Sequence, residues 1–404
     1  MRYTPGMSFG IYFHIPFCLQ KCHYCDFATL PAQSENEMSE YTKLLLREID
    51  VRHSAFFGLN DKELQVSTIY FGGGTPSLLS AEDILAVVKK LSNVGFKILQ
   101  NAEITIEINP GTVDQKKLDL YRAAGVNRFS VGVQTFNDKL LEACGREHNA
   151  NDSRRTLNFL KENTINYSFD LLFGLPKQNL TMLGDDLNEI IDFQPPHVSA
   201  YLMTLTESHF LNIGRAPDTE QAEMFDLIDS TLAKNGWDHY EISNYAKPGF
   251  ESKHNMGYWN DTPYWGIGLS AHSYVPQWAS NGVRFWNPKN LDKYKHQILT
   301  PLWSESPEQF LIPPPQVEKL QKNEAMTDYL HTQLRKKTGV SKVALRSKFP
   351  AEYKLIEKRL ENLLKKEWVE FDNSHYKIAQ NQRVLANNIF FELTFLAEDL
   401  AGLT

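Results

Sequence analysis

Between residues 10 and 203 the chain repeats one unit: a β-branched and aromatic run, then a helical apolar stripe. Strand-like runs fall at 10–15, 66–71, 103–108, 128–133, 165–173 and 198–203. Between them lie helical stretches at 40–52, from Ser80 through Leu91, and at 112–125, 137–143, 152–162 and 181–191. Ser80 is a good helix N-cap, and Gly125 suits the left-handed residue that ends a helix. Parallel strands need crossovers, so six strand–helix alternations predict an α/β fold with right-handed βαβ connections. Either an open doubly wound sheet or a full or partial (β/α) barrel satisfies this pattern. The unusual residues Cys18, Gly72–Thr75, Glu107, Gln134 and Asp170 sit after or late in strands. A barrel gathers its site there, although a doubly wound sheet also binds ligands at strand ends.

From about 205 to 300 the pattern loosens and aromatics concentrate. Pro313, Pro314 and Pro315 read as a linker, followed by predicted helices at 317–337, 341–349 and 351–366 and a hairpin around Asp372-Asn373-Ser374. Helices followed by a short hairpin make a winged-helix pattern. From residue 301 onward there are 15 basic and 14 acidic residues. A DNA reader is usually basic, so packing or docking is the expected role. The whole chain, 404 residues at net charge −7, lacks the basic excess of a nucleic-acid or anionic-membrane binder. Its longest stretch without Asp, Glu, Lys or Arg, 262–283, is broken by Gly, Pro, Ser, Asn and His, so no membrane span is expected. No secretory signal is read at the N-terminus, and a cytoplasmic location follows as the default expectation.

Three of the four cysteines, Cys18, Cys22 and Cys25, fall within eight positions as C-x3-C-x2-C, and Cys144 stands apart. A disulfide scaffold would spread its cysteines, so metal or cluster ligation is the better reading. Structural zinc wants four ligands, which a nearby His would have to complete. A [4Fe–4S] cube normally takes four thiolates, so three would leave one iron open to a small molecule. His14 and His23 flank the run and are expected behind the ligands, and Cys144 is expected to be a small buried residue.

Gly72-Gly73-Gly74-Thr75-Pro76 follows a strand, where glycine lets backbone approach a ligand; alone it is a weak signal and a plain turn is the commoner meaning. Glu107, Gln134, Arg146 and Asp170 are each ambiguous alone. Arg146 could serve a carboxylate as a bidentate donor or pair on the surface, and Asp170 could accept from ribose hydroxyls. His254-Asn255-Met256-Gly257-Tyr258-Trp259 lies in the aromatic-rich stretch. Imidazole ligates haem iron and aromatic faces suit a flat macrocycle, with His272 as the rival ligand. The plain alternative is an aromatic-lined core with a hydrogen-bonded His254.

Taken together, IYFHIPFC, CHYCDF, GGGTPS, EINP, SVGVQTFN and DLLFGLP resemble the radical S-adenosylmethionine (SAM) superfamily. Within it they resemble the subgroup of oxygen-independent coproporphyrinogen dehydrogenase and the haem chaperones, over nearly the whole chain. The resemblance implies a partial (β/α)6 barrel at 1–235 and an aromatic-rich extension at 236–312 carrying the HNxxYW run. A winged-helix-like domain at 313–404 would follow. It implies a [4Fe–4S] cluster on Cys18, Cys22 and Cys25. It also implies SAM contacts from Tyr12, Tyr24, Gly73, Gly74, Thr75, Glu107, Gln134, Arg146 and Asp170, some of which match a second SAM site in the dehydrogenase. Phe27 stands where the dehydrogenase has a further cysteine, only 17 residues precede Cys18, and HNxxYW marks the chaperones. These features favour a protein that binds haem through His254, Tyr258 and Trp259 and hands it to apo-haemoproteins such as respiratory cytochromes, with an electron donor for the cluster. The alternatives are oxidative decarboxylation of coproporphyrinogen, or another radical SAM activity such as methyl transfer or cyclopropanation. Dimerisation is left open.

Overall fold

The computed structural model describes residues 9–32, 34–56, 64–300 and 316–401. Six parallel strands build its centre: β1 (Phe9–Ile15), β2 (Leu64–Gly73), β3 (Phe96–Ile108), β4 (Arg128–Gln134), β5 (Tyr167–Phe173) and β6 (His197–Leu202). The helices between them are α1 (Glu35–Arg52), α2 (Ala81–Asn93), α3 (Gln115–Ala123), α4 (Asp138–Ala143), α5 (Ala150–Glu162) and α6 (Leu180–Phe193). The strands lie side by side in chain order. A doubly wound sheet would reverse its strand order midway, so the sequential order settles the choice in favour of the partial barrel.

The alternation of side chains decides what each face does. One face carries Phe9, Ile11, Phe13, Ile69, Phe71, Ile104, Ile106, Phe129, Val131, Phe169, Leu171 and Val198, all buried in one continuous core. The helices bring matching apolar stripes to that core, such as Leu44, Leu45 and Ile49 of α1 and Ile84, Val87, Val88 and Leu91 of α2. The opposite face carries Tyr12, His14, Tyr70, Thr105, Glu107, Arg128, Ser130, Gln134, Ser168, Asp170, His197 and Ser199. A filled barrel would line this inner face with branched apolar residues. Here it is polar, which leaves the interior for a ligand.

The aromatic-rich extension expected at 236–312 packs, over its described residues, onto the barrel sheet and its core. After α7 (Asp218–Lys234) come β7 (Asp238–Glu241), β8 (Asn244–Ala246), α8 (Lys253–Trp259), β9 (Tyr264–Ile267), β10 (His272–Val275), β11 (Val283–Trp286) and α9 (Leu291–Leu299). All five strands join the main sheet, which a further strand β12 (Val317–Lys319) extends, in the order β12-β11-β10-β9-β1-β2-β3-β4-β5-β6-β8-β7. Strand β9 runs parallel to β1 on the side opposite β2. Trp237, Tyr245, Trp265 and Phe285 belong to the same core as the barrel. Glu48 of α1, fully buried, ties this added edge down. Its carboxylate accepts from Arg52 at 2.5 Å, Asn287 at 2.8 Å, the Gly268 N–H at 2.9 Å and Tyr294 at 2.6 Å. A buried charge needs this degree of satisfaction.

A second hydrophobic core begins at Leu320. It collects α10 (Lys322–Arg335), β13 (Val340–Ser341), α11 (Lys342–Lys348), α12 (Tyr353–Lys365), the hairpin β14 (Val369–Phe371) with β15 (His375–Ile378), and α13 (Ala386–Glu392). This is the winged-helix-like module. Its first helix is shorter than expected: Val317–Lys319 is strand β12, paired with β11, and the helix starts at Lys322. Here an available sheet edge overrode the helical pattern. The three-proline linker lies outside the described residues. No described helix is long and apolar enough to cross a membrane.

Candidate functional site

The loop after β1 carries the three cysteines. It is pinned against the turn after β2: the Gly74 N–H donates to Ile15 O at 2.8 Å and the Thr75 N–H to Phe17 O at 2.7 Å. A Cβ on Gly74 would meet Phe17 O at 2.7 Å and Pro16 C at 2.7 Å, so only glycine permits this approach. Gly73 has φ +109 and its N–H donates to Glu107 at 3.1 Å. The glycine run therefore docks the cysteine loop onto the sheet and aims a backbone donor into the interior.

Behind that loop opens a cleft of about 420 Å³. It is lined by Cys18, Cys22 and Cys25 at the mouth and by Tyr24, Gly73, Gly74, Thr75, Glu107, Gln134, Arg146 and Asp170 within. Eleven of the twelve residues expected for cluster and SAM thus share one cavity. The exception is Tyr12, whose hydroxyl bonds His14 Nδ1 at 3.1 Å and whose ring stacks on Tyr70. Tyr12 supports the wall without lining it.

All three thiols are free and partly accessible. Burial pushes the Cys18 thiol up to about 11 and raises Cys25, so both are protonated unless a metal takes the sulfur. Among the described residues no three His, Cys, Asp or Glu side chains converge closely enough for a single metal ion. A [4Fe–4S] cube takes one thiolate on each iron it binds. Two donors already face the sulfurs: Arg146 Nη1 to Cys22 at 3.4 Å and Thr75 Oγ1 to Cys18 at 3.8 Å. Such hydrogen bonds hold and tune cluster thiolates. The three-thiol donor set, with Arg146 and Thr75 already donating to its sulfurs, fits a [4Fe–4S] cluster.

Arg146 organises the mouth. Its Nη2 donates to Asn109 Oδ1 and to Gly132 O, both at 2.8 Å. Asn109 in turn donates to Thr75 at 3.2 Å, closing a chain from Arg146 to Cys18. Gln134 ends β4 with φ 69, a strained left-handed conformation that turns it toward the cavity. Deeper in, Tyr70 donates to Glu107 at 2.8 Å. Burial, with Asp170 adding like charge, lifts the Glu107 carboxyl to about 7 even though Tyr70 and the Gly73 N–H oppose the shift. Asp170 accepts from Ser130 at 2.9 Å and Ser168 at 3.2 Å, and burial raises it too. The interior can thus present N–H and O–H donors at one end and proton-accepting carboxyls at the other.

The HNxxYW run is a helix, α8, that sits across the bottom of the sheet. Glu103 caps it, accepting from the Lys253 and His254 N–H groups at 3.0 Å each. His254 is 3% exposed, with Nδ1 on Thr68 at 2.8 Å and Nε2 on Tyr258 at 2.8 Å, and its ring stacks on Tyr70. Burial, with the Arg128 charge next, lowers it to about 3, so it is neutral. Both ring nitrogens are occupied, and in this arrangement His254 has no free lone pair for an iron. Tyr258 and Trp259 face away from the cysteines, onto an aromatic crevice of about 320 Å³ shared with Tyr264, Tyr274 and Tyr329. Trp259 also docks the C-terminal module: Gln333 Nε2 donates to its carbonyl at 2.7 Å and Arg335 lies 4.4 Å over its ring. His272 is exposed on β10 and stacked on Trp286. Cys144 is buried.

Sequence reasoning missed Tyr70, Asn109, Arg128, Ser130, Ser199, Tyr201 and Asn255, all in the cleft lining. The period-2 pattern could have found several: 128, 130, 132 and 134 share one face of a strand, as do 168 and 170.

This partial barrel, with three clustered thiols at its mouth, defines a radical SAM protein, and the sequence profile of the Radical SAM superfamily matches residues 12–190. Over its whole length the fold is that of E. coli coproporphyrinogen III oxidase HemN (TM-score 0.79, 23% identity, 97% of this chain and 91% of that one). The chain is 33% identical to the heme chaperone HemW of Lactococcus lactis, over 96% of this chain and 97% of the relative. It is 34% identical to HemW of Bacillus subtilis, over 94% and 97% respectively. The chain belongs to the HemW family of the radical SAM superfamily.

Proposed function

We propose that the protein is a haem chaperone: it binds haem, holds a [4Fe–4S] cluster and SAM, and passes haem to apo-haemoproteins. The observation that carries the reading is the union of a cysteine-mouthed polar cleft with relatives named heme chaperone across almost the entire chain. Cys18, Cys22 and Cys25 would hold the cluster, and Arg146 and Thr75 would steady its sulfurs. Gly73, Gly74, Thr75, Glu107, Gln134, Arg146 and Asp170 would seat SAM. When bound, a reduced cluster supplies one electron to the sulfonium of SAM. The chain's own contribution is to orient that cofactor, keep water out and hold the Glu107 proton.

For haem, His254, Tyr258 and Trp259 remain the candidate residues. Tyr258 and Trp259 offer aromatic faces to the crevice. Ligation by His254 would require it to release Tyr258 or Thr68, so haem binding and local rearrangement of α8 would go together. The test uses anaerobically reconstituted protein supplied with haem, or with coproporphyrinogen, SAM and a reductant. Stoichiometric haem binding, transfer to an apo-cytochrome and no protoporphyrinogen are expected. Multiple turnovers to protoporphyrinogen would establish the dehydrogenase instead.

A further inference from the structure

The first residue of β4 takes no part in the site as described above. Arg128 sits on the inner face in register with Thr105, and it lines the cleft. Its side chain is 2% exposed. Its Nε has no hydrogen-bond partner, nor has Oγ1 of Thr105 beside it. The nearby carboxyls are turned elsewhere: Asp170 to Ser130 and Ser168, Glu107 to Tyr70 and the Gly73 N–H. Both feel the guanidinium only through space. A buried guanidinium whose Nε lacks a partner is costly, and its five N–H groups form a rigid fork shaped for a planar anion. Ser199, Tyr201 and Asn255 line the same cavity with further polar groups.

Arg128 is also in the wrong place to serve the cluster end. Four residues of strand, roughly 13 Å, separate it from Gly132, where Arg146 is anchored. The adenine and ribose of SAM carry no negative charge that would call for an arginine. We propose that Arg128 is the anchor for the carboxylate of a second ligand that shares the cleft with SAM. A single-charged carboxylate suits the site better than a phosphate dianion, because Glu107 and Asp170 border the same space. A carboxylate also matches the guanidinium fork with two parallel hydrogen bonds. Its source is either a propionate arm of a tetrapyrrole, which rests on the haem reading above, or a small free alkyl acid, which does not.

The test uses the full chain with reconstituted cluster and SAM present, comparing wild type, Arg128→Lys and Arg128→Met. The probes are haem, haem dimethyl ester and sodium propionate, followed by absorbance and thermal shift. If a propionate arm is the ligand, Arg128→Met weakens haem by about tenfold to a hundredfold, the span of one charge-assisted hydrogen-bonded pair. The ester then binds wild type and variant alike, and Arg128→Lys keeps part of the haem affinity. If a free acid is the ligand, propionate stabilises wild type but not Arg128→Met, while haem and ester bind both equally. In either case SAM affinity holds and Arg128→Met melts no lower than wild type, because an unpaired buried charge has gone. Equal responses of wild type and Arg128→Met to all three probes would overturn the proposal. So would a loss confined to SAM, or a large drop in melting temperature with unchanged probe binding, which would make Arg128 a counter-charge for Glu107 and Asp170. Should haem fail to bind wild type at all, the haem reading falls and the propionate arm alone decides Arg128.

Discussion

The cysteine cleft and helix α8 carry the two runs with the strongest chemical content, and they are built in opposite ways. In the cleft, thiols, a strained Gln134, two carboxyls raised by burial and a guanidinium with an unpartnered Nε face one space. In α8, the backbone N–H and both ring nitrogens of His254 are bonded within the protein: the N–H to Glu103, the ring nitrogens to Thr68 and Tyr258. The difference teaches which groups are left to meet a ligand and which are used up within the chain. Groups held short of partners belong to a site built around something else, whereas fully satisfied groups stabilise the chain in the state seen here. If α8 serves haem, it does so from a second conformation.

The largest effect should come from the thiols. Replacing Cys18, Cys22 or Cys25 by Ala should abolish cluster reconstitution, read as iron per chain and visible absorbance, while Cys144→Ala retains it. A single-cysteine variant that keeps its cluster would break the picture of the cleft. Next, His254→Ala should destabilise the protein by about 4 kcal/mol in denaturant unfolding. It removes a buried ring and leaves Thr68 and Tyr258 without partners. A near-neutral result would show that α8 is not the satisfied joint described.

Glu107 sharpens the contrast through pH. Its carboxyl is raised from 4.5 to about 7 in the folded state. Stability from its protonated form is therefore complete below the unfolded value and is lost as pH climbs through 7. At about 1.36 kcal/mol per unit the loss reaches at most about 3 kcal/mol. Glu107→Gln should flatten the melting temperature across pH 5–8 in cofactor-free protein and raise it at the alkaline end. The smallest effect belongs to the joint with the C-terminal module: Gln333→Ala removes one bond to the Trp259 carbonyl and should cost about 1 kcal/mol.

Much of this was legible in the sequence because it is local. The alternation of strands and helices gave the parallel core, and eleven of the residues that short motifs marked as expected for cluster and SAM line one cavity. The aromatic stretch was not legible as strands, since β7 to β11 are only three or four residues long and derive their order from neighbours. Helix 317–337 failed at its first turn for the same reason, an unpaired edge at β11 being a long-range fact. Arg128 was overlooked because nothing within the segment marks a strand arginine as lacking a partner.

The order of residues along the chain determined the type of fold, the three-thiol loop, the glycine turn that docks it and the family. These depend on backbone periodicity and on contacts between adjacent segments. Tertiary structure alone decided which side chains are satisfied. It brought Thr68 to His254 across 186 residues and left Nε of Arg128 without a partner among groups that bond one another. Hydrogen-bond satisfaction is a property of the assembled space, which no single segment contains.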